Sequence, residues 1–222
     1  MVVIFQPDRI LLYQQISKFS FHIGGLTLDV GAGGYDRYSG LFSSERYIRL
    51  DFNIQNKPDL VADAHALPFK HEVFDSIVCT QVLEHLKNPF LAVSEFRRIL
   101  KPQGIVLLTV PQVNELHEEP HDYYRYTRFG IIHLLETNHF EILSVDQRGG
   151  FFSTLAQQII RYVIDRWDLY SSVKGRLLKP FISAFGRFMI NFDKLDKSLA
   201  NRKHAIGWCV VARNTDADFD TF

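Results

Sequence analysis

The chain has 222 residues, of which 46% are hydrophobic and 23% charged. That balance is a soluble globular one, it excludes disordered and collagen-like classes, and the length suits one domain with an elaboration. Lys and Arg number 25 and Asp and Glu number 25, and a net charge of zero argues against a general polyanion binder.

Cys79 and Cys209 each sit in an apolar run and read as buried free thiols, not a disulfide framework. The first nine residues contain Asp8 and no long apolar run, so no secretory signal is expected. No uncharged stretch reaches the ~18 residues a membrane span needs. The expectation is a cytoplasmic protein, open to peripheral membrane contact. The neutral total hides an asymmetry. Residues 1–150 carry 14 basic and 18 acidic side chains, whereas 151–205 carry 10 basic and 4 acidic. The second stretch is also rich in Phe, Ile and Leu, so it marks a distinct region of the same domain.

A helical segment is expected over residues 1–25. Apolar runs then recur at Leu26–Val30, Tyr47–Leu50, Leu60–Val61, Phe74–Cys79 and Ile105–Val110, each ending abruptly in polar or glycine residues. Such runs suit parallel strands buried on both faces. Asn88-Pro89 opens a helix as N-cap and first-turn proline, and Val93, Phe96 and Leu100 recur at helical spacing. A further helix is expected from Thr127 to about Asn138, then a strand over Glu141–Val145. Residues 151–204 form a helical insert before a last strand at 205–213, and 214–222 form a tail. Strands alternating with helices predict an α/β fold with a mostly parallel sheet.

In such sheets ligands sit beyond the carboxyl ends of the strands. Those ends read Gly31-Ala32-Gly33-Gly34, then Asp51, then Asp63-Ala64, then Thr80-Gln81. Glycines after the first strand let a ligand approach the backbone. Asp51 lies 20 residues after Gly31, where a carboxylate can accept from both hydroxyls of a ribose. A dinucleotide fits poorly, because position 36, where its third glycine belongs, is Asp36. No P-loop lysine follows the turn. The strand ends point to an adenosine-containing ligand.

Leu28-Asp-Val-Gly-Ala-Gly33, Asp51, Asp63-Ala64-x-x-Leu67-Pro68-Phe69, Phe74-Asp75, Val82-Leu-Glu-His85 and Arg98-Ile-Leu-Lys-Pro-x-Gly104 resemble the class I S-adenosylmethionine-dependent methyltransferases, type 11 group. The resemblance covers roughly Thr27 to Phe140. It implies a Rossmann-like seven-stranded sheet with helices on both faces and the last strand antiparallel. It implies S-adenosylmethionine as cofactor, with Asp29, Gly31 and Gly33 shaping the methionine turn. Asp51 would hold the ribose, Phe52 would flank the adenine, Asp63 with Ala64 would meet its amino group, and Gln81 would lie near the sulfonium. The chain departs from the pattern at Tyr35, where a third glycine is usual. It departs again at Gln81, where the metal-dependent members carry a glutamate. With only Glu84 and His85 left of that cluster, no metal is expected.

The run His117-Glu-Glu-Pro-His121-Asp-Tyr-Tyr-Arg-Tyr126 follows the fifth strand and so lies at the mouth of the site. Two readings stand side by side: a loop held by its own hydrogen bonds, or an acceptor site. In the second, His121 is the foremost base candidate, His85 another, and His117, Tyr124 and Arg125 contact the substrate. In the insert, Phe152, Leu155, Ile159 and Val163 form one helical stripe. Leu177, Phe181, Phe185, Phe188 and Phe192 form a second, with Pro180 as a helix start. Packing on the sheet or on each other is the favoured role, ahead of a lid, a membrane contact or a homodimer contact. The function expected is methyl transfer to a small or lipid-linked acceptor, with no stable nucleic-acid binding. The alternatives are an inactive methyltransferase-like binding subunit and an RNA methyltransferase.

Overall fold

The computed structural model describes residues 4–215. The residues at 1–3 of the expected N-terminal segment and at 216–222 of the expected tail lie outside the described residues. The elements run α1 (Pro7–Phe19), β1 (Gly24–Val30), β2 (Ser43–Asp51), β3 (Leu60–Val61), β4 (Phe74–Thr80), α2 (Pro89–Ile99), β5 (Leu100–Pro111), α3 (Arg128–Thr137), β6 (Phe140–Arg148), α4 (Phe151–Arg166), α5 (Val173–Leu195), α6 (Leu199–Arg202) and β7 (Gly207–Asn214). The seven strands form one sheet in the order β3-β2-β1-β4-β5-β7-β6. β7 is antiparallel to both its neighbours, and the other pairings are parallel. The sheet is the expected Rossmann-like arrangement.

Side-chain alternation sorts the strands into two layers. Leu28, Val30, Ile77, Cys79, Val106 and Leu108 face a core shared with Val93 and Phe96 of α2 and with Ile131 and Leu134 of α3. Val78, Leu107, Cys209 and Val211 face Leu12, Ile16 and Phe19 of α1. Period-two alternation in a sheet covered on both sides makes every strand position apolar, which is why these strands read as continuous runs. Both cysteines are free and buried.

Local signals set the helix ends. Asn88 accepts from the Leu91 N–H at 3.2 Å and Thr127 from the Gly130 N–H at 3.0 Å. β7 extends through Asn214, one residue into the expected tail, because the Asn214 amide donates to the Leu100 carbonyl at 3.0 Å and fixes the strand end.

The insert differs from the expectation in both helices. The inward face of α4 is Ala156, Ile160 and Ile164, which pack with Ile4 and Leu169. Leu155 and Ile159 of the predicted packing stripe are exposed. α4 carries apolar residues on two faces, and the face with the small Ala156 is the one that admits close approach. α5 begins at Val173, capped by Ser172, and Pro180 lies inside it. A proline there removes one N–H that would have bonded the Arg176 carbonyl, and the bond is lost on an exposed flank. The phenylalanine stripe of α5 faces outward: Phe181 is 72% and Phe188 58% exposed. Packing of that stripe on the sheet is thereby overturned. Gly175, Gly186 and Ile190 form its buried side instead.

Candidate active site

β1 and β4 lie side by side while the chain leaves them toward opposite edges, so a crevice opens beyond their carboxyl ends. The turn after β1 is built from the backbone. The Gly31 and Ala32 N–H groups donate to the Leu50 carbonyl at 2.8 and 3.0 Å. Gly31 has φ +72°, and a Cβ there would lie 2.3 Å from a Val82 methyl. Gly33 has φ +66° with open space where a Cβ would stand, as a turn facing a ligand requires. Tyr35, at the departure from the family pattern, is 76% exposed and leaves the turn unobstructed.

Asp51 ends β2 with its carboxylate in this crevice. One oxygen accepts from the Gly33 N–H at 2.8 Å, the other from the Asn53 N–H at 2.8 Å and the Asn56 amide at 3.0 Å. Three donors fix the carboxylate and leave one lone pair of the usual four for a ligand hydroxyl. Phe52 beside it is 79% exposed, a free ring for a flat base. Asp63 accepts from the His65 N–H at 2.9 Å and ring at 2.6 Å, bonds that hold its carboxyl below the usual range. Ala64 is buried behind it. Asp29 is buried at the end of β1, and burial pushes its carboxyl up to about 7.

Gln81 takes a left-handed backbone, φ 55°, and its side chain turns toward the sheet edge. Its amide donates to the Thr109 hydroxyl at 3.2 Å and accepts from Arg148 at 3.4 Å. Arg148 is fully buried, ion-paired to Asp8 at 3.1 Å and donating to the Val110 carbonyl at 3.0 Å. The sequence reading missed it. Its signal was faint, an arginine just before Gly149-Gly150 at the end of a strand that already carries Glu141 and Asp146.

Beyond β4 the chain places Glu84 at 0% exposure, with neither carboxylate oxygen hydrogen-bonded among the described residues. Burial pushes this carboxyl up to about 8. His85 follows, with Nε2 at 3.9 Å from Glu84 Oε1 and Nδ1 at 2.6 Å from the His121 carbonyl. That carbonyl can only accept, so Nδ1 carries the proton and Nε2 presents a lone pair. His117 packs edge-on against the His85 ring with centroids 4.8 Å apart, and its Nδ1 lies 3.0 Å from the Glu115 carbonyl. Glu84, His85 and His117 thus bring three ligand-type atoms within 4.8 Å of one another. The sequence left Glu84 and His85 without a third member, and the loop supplies it.

The loop is also held by its own bonds. Arg125 pairs with Asp122 at 2.6 Å and donates to the Glu115 and Asn114 carbonyls at 2.9 and 3.3 Å. Arg125 holds the Asp122 carboxyl down to about 2. The Tyr124 hydroxyl donates to the Lys87 carbonyl at 3.0 Å. The two side chains expected to orient a substrate are therefore already engaged, Arg125 within the loop and Tyr124 with the segment after β4. The His121 ring is exposed and 3.0 Å from the Tyr123 hydroxyl.

Residues 28–108 match the family model described as a methyltransferase domain, Methyltransf_11. An uncharacterised protein of Methanocaldococcus jannaschii is 32% identical over 120 residues, 49% of this chain and 52% of that protein. The tRNA (carboxymethyluridine(34)-5-O)-methyltransferase of Arabidopsis thaliana is 32% identical over 119 residues, 48% of this chain and 29% of that protein. Phosphoethanolamine N-methyltransferase 2 of Haemonchus contortus, solved with S-adenosyl-L-methionine, superposes with a TM-score of 0.56 at 19% identity, over 92% of this chain and 52% of that one. That likeness is one of fold. The chain spans about half the length, or less, of these relatives. The matched segment is the one that carries the glycine turn and the strand-end carboxylates, and over residues 28–108 the chain is similar to the methyltransferase-domain family.

Proposed function

We propose that this chain moves the methyl group of S-adenosylmethionine to a small or lipid-linked acceptor held between the ends of β4 and β5 and the loop over 112–126, with His85 as the base. Asp51 holds the ribose and Phe52 covers the adenine. Asp63 and Ala64 meet its amino edge, and the Gly31–Gly33 turn receives the methionine portion. Bound there, S-adenosylmethionine would supply a methyl group activated by its positive sulfur to the acceptor's lone pair, the carbon–sulfur electron pair returning to sulfur. The acceptor's proton passes to His85 Nε2. Positioning supplies most of the acceleration of such a displacement, and the base matters for an acceptor that must lose a proton as it reacts.

The observation that carries this reading is the His85 ring, locked at Nδ1 by the His121 carbonyl and backed at Nε2 by buried Glu84. His121 is then a positioning residue through its carbonyl, and its ring edges the mouth with Tyr123. His117 limits the ring's rotation from the other side. The departure at Tyr35 favoured an inactive subunit; a histidine held in a fixed orientation just beyond the end of β4 favours an enzyme.

The test is transfer of isotope-labelled methyl from S-adenosylmethionine into separated small-molecule, lipid and RNA fractions of a cell extract. Label in the lipid or small-molecule fraction, lost in His85→Gln while cofactor binding persists, is the expected result. Label in RNA alone would replace this reading with the RNA one.

A further inference from the structure

We propose that the α4–α5 hairpin seats this protein on an anionic bilayer surface, with the α5 phenylalanine stripe in the acyl boundary and a basic ridge on the lipid phosphates.

The stripe is Leu177, Phe181, Phe185, Phe188 and Phe192, at steps of four, four, three and four residues. With ~100° per residue these five side chains fall within about a quarter of the helix circumference. All are exposed, Leu177 at 68% and Phe181 at 72%. Phe192 lies 5.4 Å from Phe152 between ring centroids, so the stripe continues onto the exposed Leu155 and Ile159 of α4. Folding had a buried side available to α5 and filled it with Gly175, Gly186 and Ile190. A contiguous exposed apolar face of this extent marks an interaction surface.

Charge selects the occupant. Arg176, Arg187 and Lys194 fall about 120–140° from the stripe's centre, roughly a quarter turn beyond its near edge and on one side of it, and Lys174 lies at its start. All four are exposed. The stretch from 173 to 205 holds two carboxylates, and both are occupied. Asp193 accepts from the first N–H groups of α4, and Asp196 from the Ser198 N–H at 2.9 Å. An apolar stripe beside a basic ridge is the pattern of a helix lying in a lipid interface, its long basic side chains reaching outward to phosphate. No helix of the described residues is long and apolar enough to cross a membrane. An RNA would meet the ridge and leave the stripe wet.

The hairpin leaves the sheet directly after Arg148, at the carboxyl end of the outermost strand β6 and on the same side of the sheet as the ligand crevice, and Arg161 of α4 is paired with Glu115 of the mouth loop at 2.5 Å. Docking would therefore bring the mouth to the bilayer. Vesicle binding is read without any acceptor, so it stands or falls apart from the methyl-transfer reading.

The experiment is flotation of the full chain with phosphatidylcholine vesicles, with or without one third phosphatidylglycerol, at low and raised salt. Two variants are compared, Phe181→Ser with Phe188→Ser and Arg176→Glu with Lys194→Glu, each checked by thermal melting and by binding of S-adenosylhomocysteine. Wild type should float with anionic vesicles and at least tenfold less with neutral ones. Each variant should keep its fold and cofactor binding. The charge variant should bind anionic vesicles weaker by roughly thirtyfold or more, from about fivefold per basic residue at a lipid surface. Should the phenylalanine pair fail to fold, the charge pair decides. Three results would each overturn the proposal: wild type that ignores anionic vesicles, flotation equal in wild type and the folded variants, or a dimer or RNA complex lost in the variants without any vesicle binding.

Discussion

Arg161, in the middle of α4, is paired with Glu115 of the mouth loop at 2.5 Å, with 19% and 34% of the two side chains exposed. The insert and the acceptor loop are thus joined by an ion pair that spans 46 residues of chain. Exposed pairs contribute about 1 kcal/mol or less. Arg161→Gln should therefore leave the fold and cofactor affinity intact. Its effect should fall on the loop, as faster amide hydrogen exchange over 112–126 and a severalfold higher acceptor KM. Unchanged exchange in that loop would mean that Glu115 and Arg161 merely neighbour each other.

Asp193 closes the hairpin from the other end. Its carboxylate accepts from the Gly150, Phe152 and Ser153 N–H groups at 2.8, 3.0 and 2.8 Å, so a residue near the end of α5 caps the start of α4. Asn201 adds the Phe151 N–H at 2.7 Å. Asp193→Ala leaves three N–H groups without this acceptor, and loss of a cap costs about 1–2 kcal/mol. For a domain of this size that lowers Tm by roughly 2–8 °C. Asp193→Asn should recover part of the loss through its remaining carbonyl oxygen. A Tm equal to wild type in the alanine variant would contradict the cap.

Burial pushes the Asp29 carboxyl from its ordinary 3.8 to about 7. The folded protein then holds a proton that the unfolded chain has released between those values. Stability from this group is fully present below about pH 4 and falls as pH rises toward 7, above which it levels. The loss reaches up to about 4 kcal/mol across that window. Urea unfolding of the ligand-free protein at steps from pH 4.5 to 7.5 should show this slope, and Asp29→Asn should flatten it. Parallel profiles for the two proteins would place the Asp29 titration elsewhere.

The ligand end of the fold was legible because its signals are local. The Gly31–Gly33 turn, Asp51 and Asp63 each follow directly on an apolar run, and a strand end is visible in a few residues of sequence. Thr127 and Asn88 as caps are equally local. The base site was legible only in part. His85 is near β4 and His117 and His121 lie beyond β5, so their convergence depends on the β4–β5 pairing. Arg148 depends on Asp8, at the far end of the chain, for its partner. The insert misled because helical spacing reveals an apolar stripe without saying what covers it. α4 offers two such stripes, and Ile4 and Leu169 decide which is buried. Pro180 looked like a helix start because the Ser172 cap lies eight residues before it.

The account rests on a nucleoside held by Asp51, and calorimetric titration with S-adenosylhomocysteine tests that directly. Wild type should bind one equivalent with a Kd in the micromolar range. Asp51→Ala should weaken binding by roughly tenfold or more, since a buried ribose hydroxyl left without its acceptor costs about 1–3 kcal/mol. Circular dichroism should show the variant folded. Absence of binding by wild type, or equal affinity in the folded variant, would contradict the account.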